Sequence, residues 1–537
     1  MPAAAVIRTA IRVSIKRTPH WSMAPLESAF IPISRVGYKA IPCEDVFLDS
    51  TAARTDLQFT SAPTPAPQPL RRRLLIGLAL VALYLAVEFL VPRPESVQPA
   101  GWRLLGIFIA TIGALMLRPI PGGAAVLIAI ILASLFGGLT IQHALGGYGD
   151  PTVWLVMAAF FISAALIKTG LARRIALVFI RTVGQTSLGV CYALSATDMV
   201  LASIIPSNGA RSGGVVLPIL RSVAELYGSF PGPTAALIGS FLMTGVYQGI
   251  CVTAAMFFTG QASNPLAAQM AGEMFHYPVT WALWFVAGIV PGLCSLLVAP
   301  WIVYRMYPPE IRRTPEAADF ARRELERMGP MDRGQRIVAV IFVLVCGLWI
   351  TTPFHHLDIT ETALLGSAAL LITGVLTWND VVTDRAAWDI FIWYGGLLQL
   401  GKSLNDAGVT RAFAKAVGGW FGGAGWIVPL GMALLVYFYA HYGFASITAH
   451  MLAMFPPFAA VLIGRGAPSG LVIFSFACFA NLAAGLTNYG TTPSPMFFAH
   501  GYVSFERWWK VGFVVALANL AIWSTIGFAW WKLIGIW

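Results

Sequence analysis

Pro206-Ser207-Asn208-Gly209-Ala210-Arg211 and Ala445-Ser446-Ile447-Thr448-Ala449-His450 are two polar stretches that recur at a spacing of 239 residues. Ser207 and Ser446 hold equivalent places, and so do Arg211 and His450. Other echoes have nearly the same spacing: residues 168–173 with 406–411 at 238, and 256–258 with 496–498 at 240. A polar, glycine-containing segment repeated inside an apolar chain is typical of secondary transporters, whose sites lie where two structural repeats meet.

The composition is that of a membrane protein. Of the 537 residues, 57% are hydrophobic and 11% are charged, whereas an ordinary soluble domain is roughly 25% charged. The mean hydropathy is +0.73. Such a chain cannot cover itself with polar surface, so we expect an all-α polytopic membrane protein of about 11 spans in contact with lipid. The positive-inside rule and anionic lipid, rather than a nucleic-acid partner, account for the net charge of +11.

The six cysteines have no paired spacing, and most lie in apolar runs. We interpret them as small buried hydrophobic residues, and we expect no disulfide framework, metal cluster or cofactor.

The chain is predicted to begin with a segment unlike the rest. Residues 1–70 contain no apolar span and end in a proline-rich stretch, which favours a disordered or extended segment. Its basic, acid-free start fits a transit peptide, a cytoplasmic tail or a start codon placed too early, with Met23 as a later start. Arginines at 71–73 then place the N-terminus in the cytoplasm.

Three further parts follow this segment. They are a first transmembrane half at 71–304, a cytoplasmic linker at 305–337 with an amphipathic helix near 315–328, and a second transmembrane half at 338–537.

The two halves are predicted to be inverted repeats. Each contains about five crossings by our count, and an odd number of crossings inserts the second copy upside down. The stretches around 185–225 and 443–463 are apolar but interrupted by proline, glycine and polar residues. This favours re-entrant helical hairpins whose open backbone is buried in protein or faces a cavity. Two such hairpin tips would meet near the middle of the membrane.

The first tip carries groups suited to a carboxylate. Ser207 and Asn208 offer a hydroxyl and an amide, and a helix starting after the tip directs its positive end at the site. Arg211 adds a planar guanidinium, although an ion pair with the nearest acidic residue, Asp198, is the structural alternative. The second tip holds candidate ligands at matching positions: Ser446, Thr448 and His450.

Each half also contains a second polar stretch that we expect to interrupt a helix. The first is predicted at 244–249, with Gln248 and the nearby Thr253 as candidate substrate ligands. The second is predicted at 485–495, and a packing kink is the alternative for both. The candidate ligands of the second interruption are Thr487, Asn488 and Thr491.

Enzyme classes are disfavoured because the chain lacks the H-E-x-x-H, G-x-S-x-G and Walker-loop motifs. We interpret His355 and His356, beside Asp358, as a surface cluster and not a metal site.

At its motifs the sequence resembles the divalent anion:sodium symporter family, and within it the citrate and 2-oxoglutarate/malate translocators of bacteria and plastids. The resemblance runs from about residue 75 to the C-terminus. The stretches that carry it are 206–214 around Pro206-Ser207-Asn208-Gly209-Ala210-Arg211, Ala262-Ser263-Asn264-Pro265-Leu266, Tyr307-Pro308-Pro309-Glu310-Ile311, 441–450 and 486–495.

The resemblance implies an inner-membrane homodimer with a scaffold and a moving transport domain. In that family, Ser-Asn-Thr tip motifs bind substrate carboxylates and, in sodium-coupled members, also help hold Na⁺. Ile447 stands where the second tip motif has asparagine, which removes an oxygen ligand from a hard cation. The positions that match are Ser207, Asn208, Ser446 and Thr448, and the other departures are Gly209 and Asn488.

We therefore expect a secondary transporter of C4–C6 di- and tricarboxylates of the malate, 2-oxoglutarate, succinate and citrate class. The expected mechanism is sodium-independent exchange by elevator-type alternating access, with Arg211 and a protonated His450 as built-in cations that make the empty carrier costly to move. Symport with Na⁺ or H⁺ is the main alternative, and a channel or an intramembrane enzyme is a different class. A bacterial inner membrane is favoured over a plastid envelope.

Overall fold

The computed structural model describes residues 69–418 and 425–537, so the predicted N-terminal segment lies almost entirely outside the described residues. All regular elements in the described part of the chain are helices, as expected, and the only β contact there is an isolated bridge between Thr186 and Arg313. The helices as far as the linker are α1 Leu70–Phe89, α2 Pro99–Leu117, α3 Gly122–Leu135, α4 Ile141–Ala144, α5 Pro151–Lys168, α6 Leu171–Val183, α7 Ser187–Ala202, α8 Asn208–Arg211, α9 Leu217–Leu226, α10 Gly239–Met256, α11 Ser263–Phe275, α12 Trp281–Met306 and α13 Pro315–Met328.

The helices of the second half have the same order. They are α14 Arg333–His355, α15 Ile359–Ile372, α16 Trp378–Thr383, α17 Arg385–Asp406, α18 Val409–Gly418, α19 Ile427–Ala440, α20 Ile447–Gly464, α21 Ser469–Ala483, α22 Pro493–Phe498, α23 Phe505–Ile522 and α24 Phe528–Leu533. Single π-helical turns join α8 to α9 and α23 to α24.

Local sequence explains where many of these helices begin. Asp150 caps α5 by accepting from the amide of Thr152, and proline follows it at the first helical position. At α15, Asp358 and Glu361 form a reciprocal capping box. The side chain of Asp358 is therefore used in capping a helix. The amphipathic helix α13 has the bounds predicted for it.

Seven helices in the described part of the chain are long and apolar enough to cross a membrane, and four shorter apolar helices accompany them. The long ones include α5, α12 and α14, and the short ones include α3 and α15, each of 14 residues. A helix of that length spans about 21 Å, which is less than the roughly 30 Å of a hydrocarbon core.

The repeat is visible in the backbone. Residues with a left-handed conformation are uncommon and mark sharp helix ends, and eight of them form pairs at a nearly constant spacing of 236–238 residues. The pairs, with their φ angles, are Arg118 (48°) and His356 (57°), Gly138 (75°) and Gly374 (73°), Gly170 (73°) and Gly408 (78°), and Gly228 (64°) and Gly466 (84°). The two halves therefore fold alike, as the sequence echoes predicted.

The long helices pack into two sets. In the first set, α1, α2, α3, α5, α14, α15 and α17 lie together, and Gly396 of α17 lets the side chain of Val126 on α3 approach closely. In the second set, α7, α12, α21 and α23 surround α10, which is buried along its whole length. Trp284 of α12 donates to the carbonyl of Ala255 at 3.0 Å within this set. The hairpin helix α20 contacts both α21 and α2.

The predicted interruption at 244–249 is wrong. These residues lie inside α10, and the break in the first half is at 257–262, where a short 3-10 turn separates α10 from α11. Gly245 and Gly249 instead provide close helix packing, because a Cβ on them would lie 2.8 Å from Cys191 Sγ and 2.6 Å from Ser195 Oγ, both on α7. Glycines four residues apart commonly bring membrane helices together.

The second half agrees better with the sequence. The helix α21 ends at Ala483, and α22 begins only at Pro493, so the interruption predicted at 485–495 is confirmed as far as Thr492, whereas residues 493–495 already belong to α22. The broken stretch at 443–463 is shorter than expected, because α20 is regular from Ile447 to Gly464 and only the short segment at 441–446 separates it from α19.

Candidate binding site at the hairpin tips

We refer to the two stretches predicted to form hairpins, α7 to α9 and α19 to α20, as the first and the second hairpin, and the first tip is the segment between α7 and α8. Ser207 is extended there, with φ −136° and ψ 105°, and its Oγ accepts from the amide of Ala210 at 3.1 Å. The carbonyl of Ser207 accepts from the amide of Arg211, also at 3.1 Å. Ser207 is thus the N-cap of a helix that runs through the π turn into α9.

The second hairpin has the same construction. Ser446 is extended, with φ −153° and ψ 128°, and its Oγ accepts from the amide of Ala449 at 3.3 Å. Its carbonyl accepts from the amide of His450 at 3.1 Å. Both serines are partly exposed. Each tip therefore directs the first amides of a helix, which have no intrahelical acceptor, toward an accessible serine.

Both hairpins are bonded to the same place in the second break. The side-chain amide of Asn208 donates to Thr491 Oγ1 at 2.9 Å, and the ring of His441 contacts the carbonyl of Gly490 at 2.9 Å. Close packing supports the first contact, since a Cβ on Gly209 would lie 2.8 Å from Thr492 Cγ2. The segment at 490–492 therefore joins the two hairpins, which are far apart in the sequence.

Arg211 is fully buried and paired. Its Nε donates to Asp198 Oδ1 at 2.9 Å, and its Nη1 donates to the carbonyls of Ile205 at 2.7 Å and Gly260 at 2.8 Å. The expectation of a free guanidinium facing the substrate does not match this arrangement, and the alternative of an ion pair with Asp198 does. The low-dielectric interior requires such pairing, because an isolated buried charge is costly.

His450 is equally buried, but its partner is another histidine. Its Nδ1 lies 3.0 Å from Nδ1 of His441, and its ring packs against Tyr437 with centroids 4.2 Å apart and the ring planes tilted by 33°. Tyr437 and Asp198 are 239 residues apart, so the two halves place an aromatic ring and a carboxylate at equivalent positions. The second half thus has a contact between two rings where the first half has an ion pair.

The hydrogen bonds fix the tautomers of this histidine pair. His441 must donate its Nε2–H to the carbonyl of Gly490, so in the neutral ring its Nδ1 is the acceptor. His450 then donates its Nδ1–H to His441, and its own Nε2 carries a lone pair. That Nε2 is buried and has no hydrogen-bond partner among the described residues.

Gln248 and Thr253 are buried supports and not accessible ligands. Gln248 donates to the carbonyl of Gly485 at 3.0 Å, which joins α10 to the second break. The hydroxyl of Thr253 lies within hydrogen-bond distance of Asp198 Oδ2 and of the carbonyl of Ile250, and its single proton is donated to one of them at a time. Their polar side chains satisfy buried acceptors, as interior polar groups must.

The remaining predicted residues lie at or near the tips. Thr448 is almost fully buried in the first turn of α20. Asn488 is partly exposed, and its Oδ1 accepts from Trp509 at 3.2 Å. Thr487 is buried, and its Oγ1 has no partner within the described part of the chain. The structure thus brings Asn208 and Thr491 together directly, and it places the others around the same break.

Sequence reasoning missed several residues that support the site. Asn481 donates to Asn264 at 2.8 Å, and Asn264 in turn donates to two carbonyls at the end of α10. Arg118, at the end of α2, donates to the carbonyl of Ala445 at 3.0 Å. Buried asparagines in apolar runs were a usable signal. Arg118 gave none, because arginines at span ends are ordinary.

Comparisons with known proteins give a consistent result. The sequence model described as "Sodium:sulfate symporter transmembrane region" matches residues 72–537. The chain is 42% identical over 461 residues to "Putative malate transporter YflS" of Bacillus subtilis (strain 168), covering 86% of this chain and 96% of that one. It is 39% identical over 494 residues to "Dicarboxylate transporter 1, chloroplastic" of Arabidopsis thaliana, covering 90% and 88%.

A third relative is "Inner membrane protein YbhI" of Escherichia coli (strain K12), 34% identical over 481 residues, with 87% of this chain and 99% of that one covered. The solved structure of the Alcanivorax borkumensis YdaH transporter has a TM-score of 0.49 and 14% identity to this chain, and covers 87% of this chain and 99% of its own.

Proposed function

Because the chain belongs to the family of the sodium:sulfate symporter transmembrane region, the divalent anion:sodium symporters, we propose that it transports C4–C6 di- and tricarboxylates by sodium-independent exchange. Malate is the first candidate substrate, since relatives named for malate and dicarboxylate transport match most of the chain. The location we propose is a bacterial inner membrane, with a homodimer as the assembly. The relative of Escherichia coli carries the corresponding location in its name.

The observation that carries the proposal is the matched pair of serine-capped tips bonded to one break. Helix N-termini bind carboxylates through unpaired amides and a partial positive charge of about half an elementary charge each. Two such ends suit a ligand with a carboxylate at each end. Ser207, Asn208, Ser446 and Thr448 would supply the side-chain donors, and Thr487, Asn488 and Thr491 would line the segment between the tips.

Sodium independence is supported by the hydrogen bonds that backbone carbonyls near the tips already accept from side chains. A hard cation needs several oxygen ligands. The guanidinium of Arg211 already binds the carbonyls of Ile205 and Gly260, and His441 already binds that of Gly490. Ile447 adds no oxygen at the second tip. Three carbonyls close to the tips thus already accept hydrogen bonds from protein donors, which makes them poorer ligands for Na⁺.

The exchange step needs a different charge argument from the one expected. Arg211 and Asp198 together are neutral, so they cannot compensate a dianion. The two helix ends can compensate about one elementary charge in total. Each serine cap leaves some amides of the first helical turn without a protein acceptor. In the empty carrier, these amides have no hydrogen-bond partner whenever the site is shielded from water, which is costly. A bound carboxylate restores those bonds, so return with a second anion is favoured over return empty.

Proton-coupled symport is the second candidate, and the lone pair on His450 Nε2 favours it. A proton added there would leave the hydrogen bond to His441 intact, because that bond uses Nδ1. The histidine pair can therefore take up a proton without breaking that bond.

Proteoliposomes test these possibilities directly. Vesicles loaded with malate, or left empty, would be given labelled malate with and without Na⁺. Exchange predicts rapid uptake only into loaded vesicles, with no effect of Na⁺. Accumulation in empty vesicles driven by an imposed proton or sodium gradient would support symport, and uptake without either would indicate a channel.

A further inference from the structure

One scaffold residue reaches a hairpin tip across the boundary between the two helix sets. Arg118 ends α2, and its Nη2 donates to the carbonyl of Ala445 at 3.0 Å. Ala445 immediately precedes the capping residue Ser446. Arg118 is held in a left-handed conformation with φ 48° and ψ 50°. Such backbone is unfavourable for a residue with a side chain and is often found where function requires it.

The repeat supplies an equivalent residue at the other end of the scaffold. His356 ends α14, lies 238 residues after Arg118, and has φ 57° and ψ 16°. Because the halves fold alike, the equivalent of the contact between Arg118 and Ala445 is a contact between His356 and the first tip at Pro206. The first hairpin instead contacts α14 on the N-terminal side of His356, with Ser203 Oγ 3.9 Å from Cys346 Sγ.

The two hairpins therefore contact equivalent helices at different places. The second hairpin is held at Ala445 by the residue that follows α2, whereas the first contacts α14 at Cys346, ten residues before His356, through Ser203, three residues before the equivalent of Ala445. If the halves exchanged their arrangements, the first tip would advance along α14 toward His356 while the second tip withdrew along α2.

We propose that Arg118 and His356 are reciprocal end stops for the moving helices. In the conformation described, the turn after α2 holds the second tip by the carbonyl of Ala445. In the exchanged conformation, the turn after α14 holds the first tip at Pro206. This inference rests on the proposed function, since it assumes that the hairpins move relative to the scaffold during transport.

The chemistry of the two turns suits this role. A guanidinium is a permanent, forked donor that can hold a backbone carbonyl at an exposed edge. The acceptor is main-chain, so the contact needs no particular tip side chain. A left-handed residue ends its helix abruptly, and at Arg118 the side chain then reaches the hairpin. His356 has the same backbone, with an imidazole as the donor.

Cysteine cross-linking tests the geometry. In a background without the six native cysteines, one variant carries Arg118→Cys with Ala445→Cys, and a second carries His356→Cys with Pro206→Cys. A reducible bis-thiosulfonate reagent about as long as an arginine side chain would join either pair. We expect both pairs to cross-link, each cross-link to stop exchange, and reductant to restore it.

The decisive sample carries all four substitutions. Cross-linking at 118 and 445 first should prevent cross-linking at 206 and 356, because the two contacts belong to different conformations. Formation of both in one molecule would overturn the proposal, as would failure of the second pair in protein that exchanges. If Pro206→Cys does not fold, Phe108→Cys with Tyr442→Cys, the repeat equivalents of Cys346 and Ser203, reports the same conformation.

The arginine side chain has its own test. Arg118→Asn tolerates left-handed backbone but cannot reach the carbonyl, whereas Arg118→Lys keeps a long cationic donor. We expect cross-linking at 206 and 356 to become about tenfold faster in the asparagine variant, equivalent to about 1.4 kcal/mol, and to change less in the lysine variant. An unchanged rate would overturn the role of Arg118. Cross-links are scored without transport, so protein that cross-links as expected but exchanges no carboxylate would refute only the proposed function.

Discussion

The side-chain amide of Asn208 donates to the hydroxyl of Thr491 at 2.9 Å, across 283 residues of sequence. Both residues are buried, so this bond fastens the first hairpin to the second break. Thr491→Val keeps the shape but removes the acceptor and leaves a buried donor unpaired. We expect a loss of about 1–3 kcal/mol in unfolding free energy, measured as a lower melting temperature in detergent. Thr491→Ser, which keeps the hydroxyl, is the matched control, and equal melting of the two variants would contradict the prediction.

Removing Arg211 should damage folding before it damages transport. Arg211→Ala leaves Asp198 buried without its counter-charge, and breaking a buried pair in this way costs about 3–5 kcal/mol. We expect little monodisperse protein by fluorescence-detected size exclusion. The double variant Arg211→Ala with Asp198→Ala removes both charges and should recover part of the yield. Normal yield of Arg211→Ala would show that the ion pair does not support the fold.

Gly490→Ala should disable the second tip. The new Cβ would lie 2.7 Å from the carbonyl oxygen of Ala484 and 3.0 Å from Nε2 of His441. Because the first of these is backbone, the break must shift, and the bond from His441 to the carbonyl of Gly490 would be lost. We expect exchange to fall by tenfold or more, the factor that ~1.4 kcal/mol gives.

Gly443→Ala is the matched control for this substitution. It lies in the segment at 441–446, which His441 joins to Gly490, and a Cβ there would meet no atom within 4 Å. Labelled-malate exchange should be normal in this variant, and a similar loss in both would mean that the effect is not specific to position 490.

The pH response of transport should be flat as far as His450 is concerned. The ring is fully buried beside His441, and its Nε2 has no acceptor among the described residues, so the surroundings disfavour a charged ring. The Michaelis constant for malate, measured between pH 6.5 and 8.5, where malate is a dianion, should therefore change little. His450→Gln, which cannot titrate, should show the same flat profile. A Michaelis constant that rises with pH in the native protein but not in His450→Gln would contradict this prediction.

Sequence predicted the architecture well because repetition and apolar runs are strong signals. The helix echoes at 168–173 and 406–411 fall at equivalent helix ends, Gly170 and Gly408. The echo between 256–258 and 496–498 is different, since Met256 ends α10 before one break while Met496 lies in α22 after the other. A short match of common apolar residues can arise without structural equivalence.

The site was harder to predict because burial and pairing depend on tertiary structure. Gln248 and Thr487 are both polar residues in apolar sequence, so the sequence does not distinguish them. The fold does, because Gln248 donates to a buried carbonyl whereas Thr487 lies in the second break. Gly245 and Gly249 look like helix breakers in a sequence, whereas here they allow α7 to approach α10. Arg118 reaches the second tip only because a distant part of the chain folds against it.

The carbonyl that His441 holds and the amide nitrogen of Thr491 belong to one peptide group, the planar unit between Gly490 and Thr491. That amide donates to Ser494 Oγ at 3.1 Å. Because a peptide unit rotates as a rigid plate, it cannot turn away from His441 without also pulling on Ser494 and on the residue that anchors Asn208. A disturbance at either hairpin is thereby transmitted to the other through a single planar group of six atoms, which couples the two serine-capped helix ends.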